Sequence, residues 1–87
     1  MVSTTLKIVN EQGMHMRPAS LMSQEMTKYT CDVKIKFNGN EYDVKSVMSL
    51  MTACLKFDSE FELYCDGPDE EEALAKATEL VNSGIGD

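Results

Sequence analysis

The sequence is poor in several residue types, and each shortage excludes a class of protein. Its 87 residues include no tryptophan, 1 histidine, 2 prolines and 3 cysteines. Cys31, Cys54 and Cys65 are odd in number and widely spaced, unlike a disulfide framework or a C-x-x-C metal or redox motif. With one histidine and no clustered cysteines, a zinc site is not expected either. We therefore expect buried, reduced thiols and neither a metal ion nor another cofactor.

Long apolar runs are also missing from the chain. No segment approaches the roughly 18 consecutive apolar residues that a membrane span requires. The first ten residues, "MVSTTLKIVN", lack the basic start, apolar middle and small-residue cleavage site of a signal peptide. These features predict a cytoplasmic protein that does not insert into membranes.

Positive charge is scarce. The chain has 8 Lys and Arg against 15 Asp and Glu, a formal net charge of −7 at pH 7. The acidic residues concentrate in the second half, including the run "DEEE" at 69–72. Because such a field repels nucleic acid, we expect no nucleic-acid partner, only small molecules or proteins.

The hydrophobic pattern predicts one domain over residues 1–87, since a chain of this length has room for one core. Alternation indicates strands in "TTLKIVN", "CDVKIKF", "NEYDV" and "EFELYC". Three-to-four spacing predicts helices over residues 18–29, in "KSVMSLMTACL" and in "GPDEEEALAKATELV". Asn38-Gly39 is the typical type I′ pair and joins two of the strands as a hairpin.

Helix-capping signals support these assignments. Ser46 is a natural N-cap for the short second helix. Asp69 with Glu72 forms a capping-box-like pair at the third, and Gly84 is its expected C-cap. Amphipathic helices and one-faced strands predict a two-layer α/β sandwich, an antiparallel sheet covered by helices on one side.

The segment "GMHMRPAS", residues 13–20, holds the single histidine. Pro18 fits the first turn of a helix, which places His15 just before it. The unpaired N–H groups of that turn and the guanidinium of Arg17 form a site for an anion such as phosphate. A nucleophilic ring beside an anion site suits phosphoryl transfer through histidine, although a solvated cap or loop residue would have the same local sequence.

Two segments resemble one family, HPr, the histidine-containing phosphocarrier protein of the bacterial phosphoenolpyruvate:sugar phosphotransferase system. "GMHMRPAS" is similar to its active-site segment Gly-x-His-x-Arg-Pro-Ala, and "KSVMSLM" is similar to Lys-Ser-Ile-Met-Gly-x-Met around its regulatory serine. The length, element order and motif separation also agree. The resemblance implies the family fold, an α+β two-layer open-faced β-sandwich with a four-stranded antiparallel sheet covered on one face by three helices, which agrees with the sandwich predicted above.

The resemblance implies that His15 accepts a phosphoryl group on its δ1 nitrogen from phosphorylated enzyme I, with Arg17 stabilising the phosphate. His15 then passes the group to the A domain of a sugar-specific enzyme II. The chain has no Gly-rich phosphate loop and no Gly-Lys-Ser/Thr, so we expect a stoichiometric carrier rather than an enzyme.

Ser46 has two interpretations. Its hydroxyl could serve only as an N-cap. The resemblance implies regulation by HPr kinase/phosphorylase, which uses ATP to phosphorylate the matching serine and so makes a poorer acceptor at His15. Lys45 and Met48 fit this subgroup, whereas Ser49 stands where glycine is usual.

Apolar side chains are too dense in the second helix to be buried together. Val47, Met48, Leu50 and Met51 fall within five positions, so some must face water or a partner. The resemblance implies a docking patch for partner proteins that comprises Met16, Arg17, Ser20, Met48, Met51 and Thr52.

The chain departs from the family pattern at several other positions. Met16 replaces the usual alanine, and Cys54 and Asp58 fall where glycines are common, which leaves the loop after the second helix uncertain. Gln24 and Thr27 stand where lysine is frequent, so steering toward acidic partners is expected to be weaker.

Three alternatives stay open beside a sugar-system carrier. The first is a regulatory HPr-like protein that acts mainly through Ser46, against which the presence of His15, Arg17 and Pro18 argues. The second is a small ligand-binding module with an apolar cavity between sheet and helices. The third is a nitrogen-system paralogue, although "KSVMSLM" favours the sugar system.

Overall fold

A computed structural model describes residues 1–84 and has the predicted order of elements. The sheet order is β1-β4-β2-β3, and every neighbouring pair is antiparallel. The predicted fold, a four-stranded antiparallel sheet with three helices, is confirmed. The elements are β1 (Val2–Lys7), α1 (Met16–Thr27), β2 (Asp32–Phe37), β3 (Asn40–Asp43), α2 (Val47–Ala53), β4 (Glu60–Asp66) and α3 (Glu70–Asn82).

The core lies between the helices and one face of the sheet. Alternate strand residues are buried there, as the alternation predicted, and the helices contribute a stripe of alanines and methionines. The main core residues are Leu6, Val33, Ile35, Phe61, Leu63, Cys65, Ala19, Met22, Met26, Ala73, Ala77 and Val81. On the other face Lys36 stands over the ring of Tyr64, with its Nζ 5.2 Å from the ring centroid.

Helix α1 begins and ends two residues earlier than predicted. It starts at Met16 rather than Pro18, because the carbonyl of His15 already accepts the first helical hydrogen bond, 3.0 Å from the Ala19 nitrogen. Pro18 therefore lies at the third helical position, where its missing N–H is still without consequence. Tyr29 follows the helix and is half-buried.

The predicted capping box at α3 is wrong. Asp69 does occupy the N-cap position, but its carboxylate accepts hydrogen bonds from the backbone N–H groups of Thr30 and Cys31, each 2.9 Å long. A carboxylate that bonds across to the start of β2 is not available to the first turn of its own helix. At the other end Ser83 is the C-cap, and Gly84 follows with a φ of 83° that suits glycine.

The three cysteines are free thiols but not all buried. Cys31 and Cys65 lie in the core, and burial raises the pKa of Cys31 to about 12. Cys54 is exposed, contrary to expectation, because it follows the last turn of α2 in a left-handed conformation. None of the helices described between residues 1 and 84 is long and apolar enough to span a bilayer.

Asp69 should make stability depend on pH. Its hydrogen bonds with the Thr30 and Cys31 amides lower its pKa from 3.8 to about 2. A depressed pKa stabilises the folded state above the unfolded value, and this contribution is lost as pH falls through the folded value. We expect the free energy of unfolding to fall between about pH 4 and pH 2, and Asp69→Asn to lower it at neutral pH while flattening that slope.

Chemical denaturation across this pH range would measure the effect. Asp58→Asn is the matched control, because the carboxylate it replaces is exposed and has no side-chain bond of this kind. An equally steep slope in Asp69→Asn and the unmodified protein would contradict the prediction.

Candidate functional site

His15 lies at the amino-terminal end of α1, where the sequence placed it. It is the N-cap residue, with extended backbone angles of φ −94° and ψ −171°, and its side chain does not cap the helix. His15 is partly exposed, and Arg17 in the first turn is exposed. The backbone of His15 is therefore fixed at the start of the helix, while the residue remains partly accessible to solvent.

A surface cleft of about 500 Å³ surrounds the histidine. His15 and Arg17 form one wall, and the end of α3 contributes another. The segment between β1 and α1 completes the cleft through Val9, Asn10, Glu11 and Gln12. Both residues of the predicted phosphate site thus share one concave surface, together with groups that the sequence did not indicate.

Asn10 joins two of the walls. Its side chain is buried, and its amide nitrogen donates to the carbonyl oxygen of Gly84 at 2.5 Å. The two residues are 74 positions apart, so no local pattern could have revealed this contact. It fixes the histidine-bearing segment against the end of α3.

Gly13 determines the backbone path of the segment that leads to His15. Its φ is +75°, and a Cβ atom there would lie 2.5 Å from the carbonyl oxygen of Leu55 and 2.9 Å from the Cα of Lys56. The next amide, of Met14, donates to that same Leu55 carbonyl at 2.7 Å. Only glycine permits this approach, which explains the first residue of the Gly-Met-His segment.

The electrostatics of the cleft favour a bound anion at α1. The first turn of α1 contains no acidic residue, whereas the first turn of α3 contains three. The positive end of the α1 dipole therefore has no carboxylate of its own turn beside it, and Arg17 adds a full charge. Glu11 supplies one opposing negative charge at the rim. Within residues 1–84, no cluster of three or more His, Cys, Asp or Glu is placed to hold a metal ion.

Ser46 is the N-cap of α2, as predicted. Its hydroxyl accepts a hydrogen bond from the Ser49 backbone N–H at 3.2 Å, and the residue is partly exposed. Lys45 before it bonds through Nζ to the Tyr29 carbonyl at 2.7 Å, which ties this turn to the end of α1. No local pattern in the sequence predicts this contact.

Ser49, which replaces the usual glycine, has a structural partner. Its hydroxyl oxygen accepts a hydrogen bond from the backbone N–H of Asp43 at 2.9 Å. The bond fastens the first turn of α2 to the end of β3. This departure therefore adds a constraint beside Ser46 rather than loosening the turn.

The residues of the docking patch differ in exposure. Met16 and Met48 are 59% and 74% exposed, Met51 and Ser20 are partly exposed, and Thr52 is exposed. Leu50, in contrast, is buried in the core. The expectation that some apolar residues of α2 face outward is confirmed, and the role of the patch in docking stays a prediction.

The two residues that stand where the family commonly has glycine, Cys54 and Asp58, have backbone angles typical of glycine. Cys54 and Asp58 have φ values of 54° and 68°, in the left-handed region. A non-glycine residue there costs about 1–2 kcal/mol. The loop after α2 thus has left-handed backbone angles at two non-glycine residues, at some cost in stability.

Comparison with known proteins identifies the class. Residues 2–83 match the family model described as the PTS HPr component phosphorylation site. The chain is therefore a member of the HPr family, whose members are phosphocarriers rather than catalysts.

Solved structures of this family agree with the assignment. The chain is 30% identical to an HPr from Thermoanaerobacter tengcongensis, with a TM-score of 0.95 and coverage of 100% of this chain and 98% of the other. It is 29% identical to the phosphocarrier protein HPr of Bacillus anthracis, with a TM-score of 0.87 and coverage of 92% and 95%. It is also 34% identical to Crh, the catabolite repression HPr of Bacillus subtilis, with a TM-score of 0.68 and coverage of 92% and 95%.

Replacing Gly13 should test how the histidine segment is held. We expect Gly13→Ala to lower the free energy of unfolding by about 3 kcal/mol, since it adds a clash with Leu55 to an unfavourable φ. Gly39→Ala is the matched control, because its φ is 79° and nothing lies within 4 Å of its Cβ position. Denaturant unfolding should give the control a loss of only about 1–2 kcal/mol. Equal losses would show that the close approach contributes nothing.

Proposed function

We propose that this protein carries phosphoryl groups on His15 in the sugar phosphotransferase system. It accepts them from phosphorylated enzyme I and passes them to the A domains of sugar-specific enzymes II, in the cytoplasm. The observation that supports this most strongly is the partly exposed imidazole at the start of α1, in one cleft with Arg17.

The reaction exchanges one nitrogen–phosphorus bond for another. The δ1 nitrogen of His15 attacks the phosphorus of phosphohistidine on enzyme I, and the donor ring leaves with the electron pair of the broken bond. Negative charge spreads over three phosphoryl oxygens in the transition state, which the α1 amides and Arg17 are placed to stabilise. The second transfer, to an enzyme II A domain, repeats the exchange with His15 as the leaving group.

A carrier must hold phosphate only moderately. An anion bound equally well before and during transfer would be trapped rather than passed on. The site fits this requirement, because Arg17 is exposed to solvent and Glu11 on the cleft wall opposes the phosphate charge.

Labelling with phosphoenolpyruvate and enzyme I tests the proposal. We expect acid-labile, base-stable label on the unmodified protein and none on His15→Ala. Arg17→Ala should be labelled about 10²-fold more slowly, because one stabilising donor is lost from the transition state. Circular dichroism should show both variants folded, and label on His15→Ala equal to that on the unmodified protein would reject the carrier role.

Regulation through Ser46 is the second candidate function. The similarity to Crh and the exposure of Ser46 at the start of α2 favour it. Phosphate at Ser46 would add about −1.5 to −2 charges beside the docking patch and so oppose acidic partners. HPr kinase/phosphorylase would be the partner that adds it.

The Ser46 hypothesis predicts acid-stable label from ATP and an HPr kinase/phosphorylase. We expect this label to disappear in Ser46→Ala and in Ser46→Asn. The alanine variant also loses about 1 kcal/mol of N-cap stability, whereas asparagine retains the cap and is the matched control. Label that persists in both variants would place the modification elsewhere.

A further inference from the structure

Exposed large apolar side chains concentrate near His15. Among residues 1–84 they are Met1, Val9, Met16, Met48 and Phe57, with exposures from 45% to 74%. Met16 and Met48 belong to the docking patch. Val9 and Phe57 belong to neither motif of the sequence, and the fold nevertheless brings them to the same end of the molecule.

Val9 and Phe57 are held beside the histidine by backbone contacts. Val9 lines the cleft that contains His15. Phe57 follows Lys56, whose Cα packs against Gly13. The two segments are joined by the Asp58 amide, which donates to the Ile8 carbonyl at 2.9 Å, and by the Ile8 amide, which donates to the Ser59 carbonyl at 3.0 Å.

Met1 lies at the opposite end. Its ammonium group is 3.1 Å from the Glu70 carboxylate at the start of α3. The cleft is at the other end of this 13-residue helix, about 20 Å away. Val9 and Phe57 are thus exposed apolar residues outside the docking patch, on two segments that pack next to the one that carries His15.

We propose that Val9 and Phe57 form an apolar surface beside the docking patch, here termed the second flank, and that it binds the phosphohistidine-bearing domain of enzyme I. This inference rests on the proposed function. The new bond forms at His15, so the donor domain must cover the surface next to it, and the second flank is part of that surface. Phe57 lies between Lys56 and Asp58, whose charges cancel, so the contact is apolar rather than ionic.

Phe57 is suited to act as a binding anchor. The residue offers roughly 100 Å² of exposed surface, because 58% of it is exposed and an aromatic side chain buries 150–250 Å² when fully covered. Its two side-chain torsions lose little entropy on docking, and the backbone beside it is fixed by the bond from Asp58 to Ile8. Aromatic residues so placed dominate the energy of many interfaces.

Kinetics of phosphoryl transfer from enzyme I test this inference. We expect Phe57→Ser to raise the KM of enzyme I for this protein about five- to tenfold and Val9→Thr to raise it about twofold, each with the kcat of enzyme I nearly unchanged. Phe57→Leu is the matched control and should retain most of the affinity. The ratio of KM values between Phe57→Ser and the unmodified protein should stay constant as salt is raised, because the contact is apolar. The melting temperature of each variant shows whether a rise in KM reflects weaker binding or a loss of folded protein.

The outcomes distinguish failure of the second flank from failure of the carrier role. Normal labelling of His15 with an unchanged KM in Phe57→Ser would overturn the second flank and leave the carrier role standing. A change in kcat alone, or an equal loss in Phe57→Leu, would also overturn it. No label on the unmodified protein would reject the carrier role and this inference with it.

Discussion

The burial of one sheet face beneath three helices is the constraint on which the site depends. Every helix must lay its apolar stripe on that face, so the polar ends of the helices and their connecting loops emerge at the margins of the sheet. The start of α1, the start of α2 and the end of α3 are such ends. His15 and Ser46, the two predicted site residues, therefore both lie at helix starts, where unpaired amides already occur.

The histidine cleft is assembled from segments that are far apart in the chain. Asn10 reaches the Gly84 carbonyl, and Gly13 packs against Leu55 and Lys56. These contacts hold the short segment between β1 and α1 in place without using the imidazole for capping. A reactive group whose backbone is fixed and whose ring is accessible suits repeated encounters with different proteins.

Two residues in the loop after α2 have backbone angles that oppose their local preference. Cys54 and Asp58 adopt left-handed angles that glycine would adopt more easily. The conformation persists because the surrounding contacts determine it, among them the bonds that join Asp58 and Ser59 to Ile8. The same loop carries Phe57, which is exposed and follows Lys56, whose Cα packs against Gly13 of the histidine segment.

The sequence by itself determined the fold class, the element order, the hairpin at Asn38-Gly39 and the positions of His15, Pro18 and Ser46 at helix starts. Each of these follows from short-range causes: periodic burial, turn conformation and unpaired amides at helix ends. Only the tertiary structure decided the hydrogen-bond partners of four residues: Asp69, Ser49, Lys45 and Asn10. It also decided that Val9 lines the cleft of His15 and that the segment of Phe57 packs beside Val9. Those outcomes depend on contacts between distant segments, which the sheet order β1-β4-β2-β3 brings together and which no local pattern encodes.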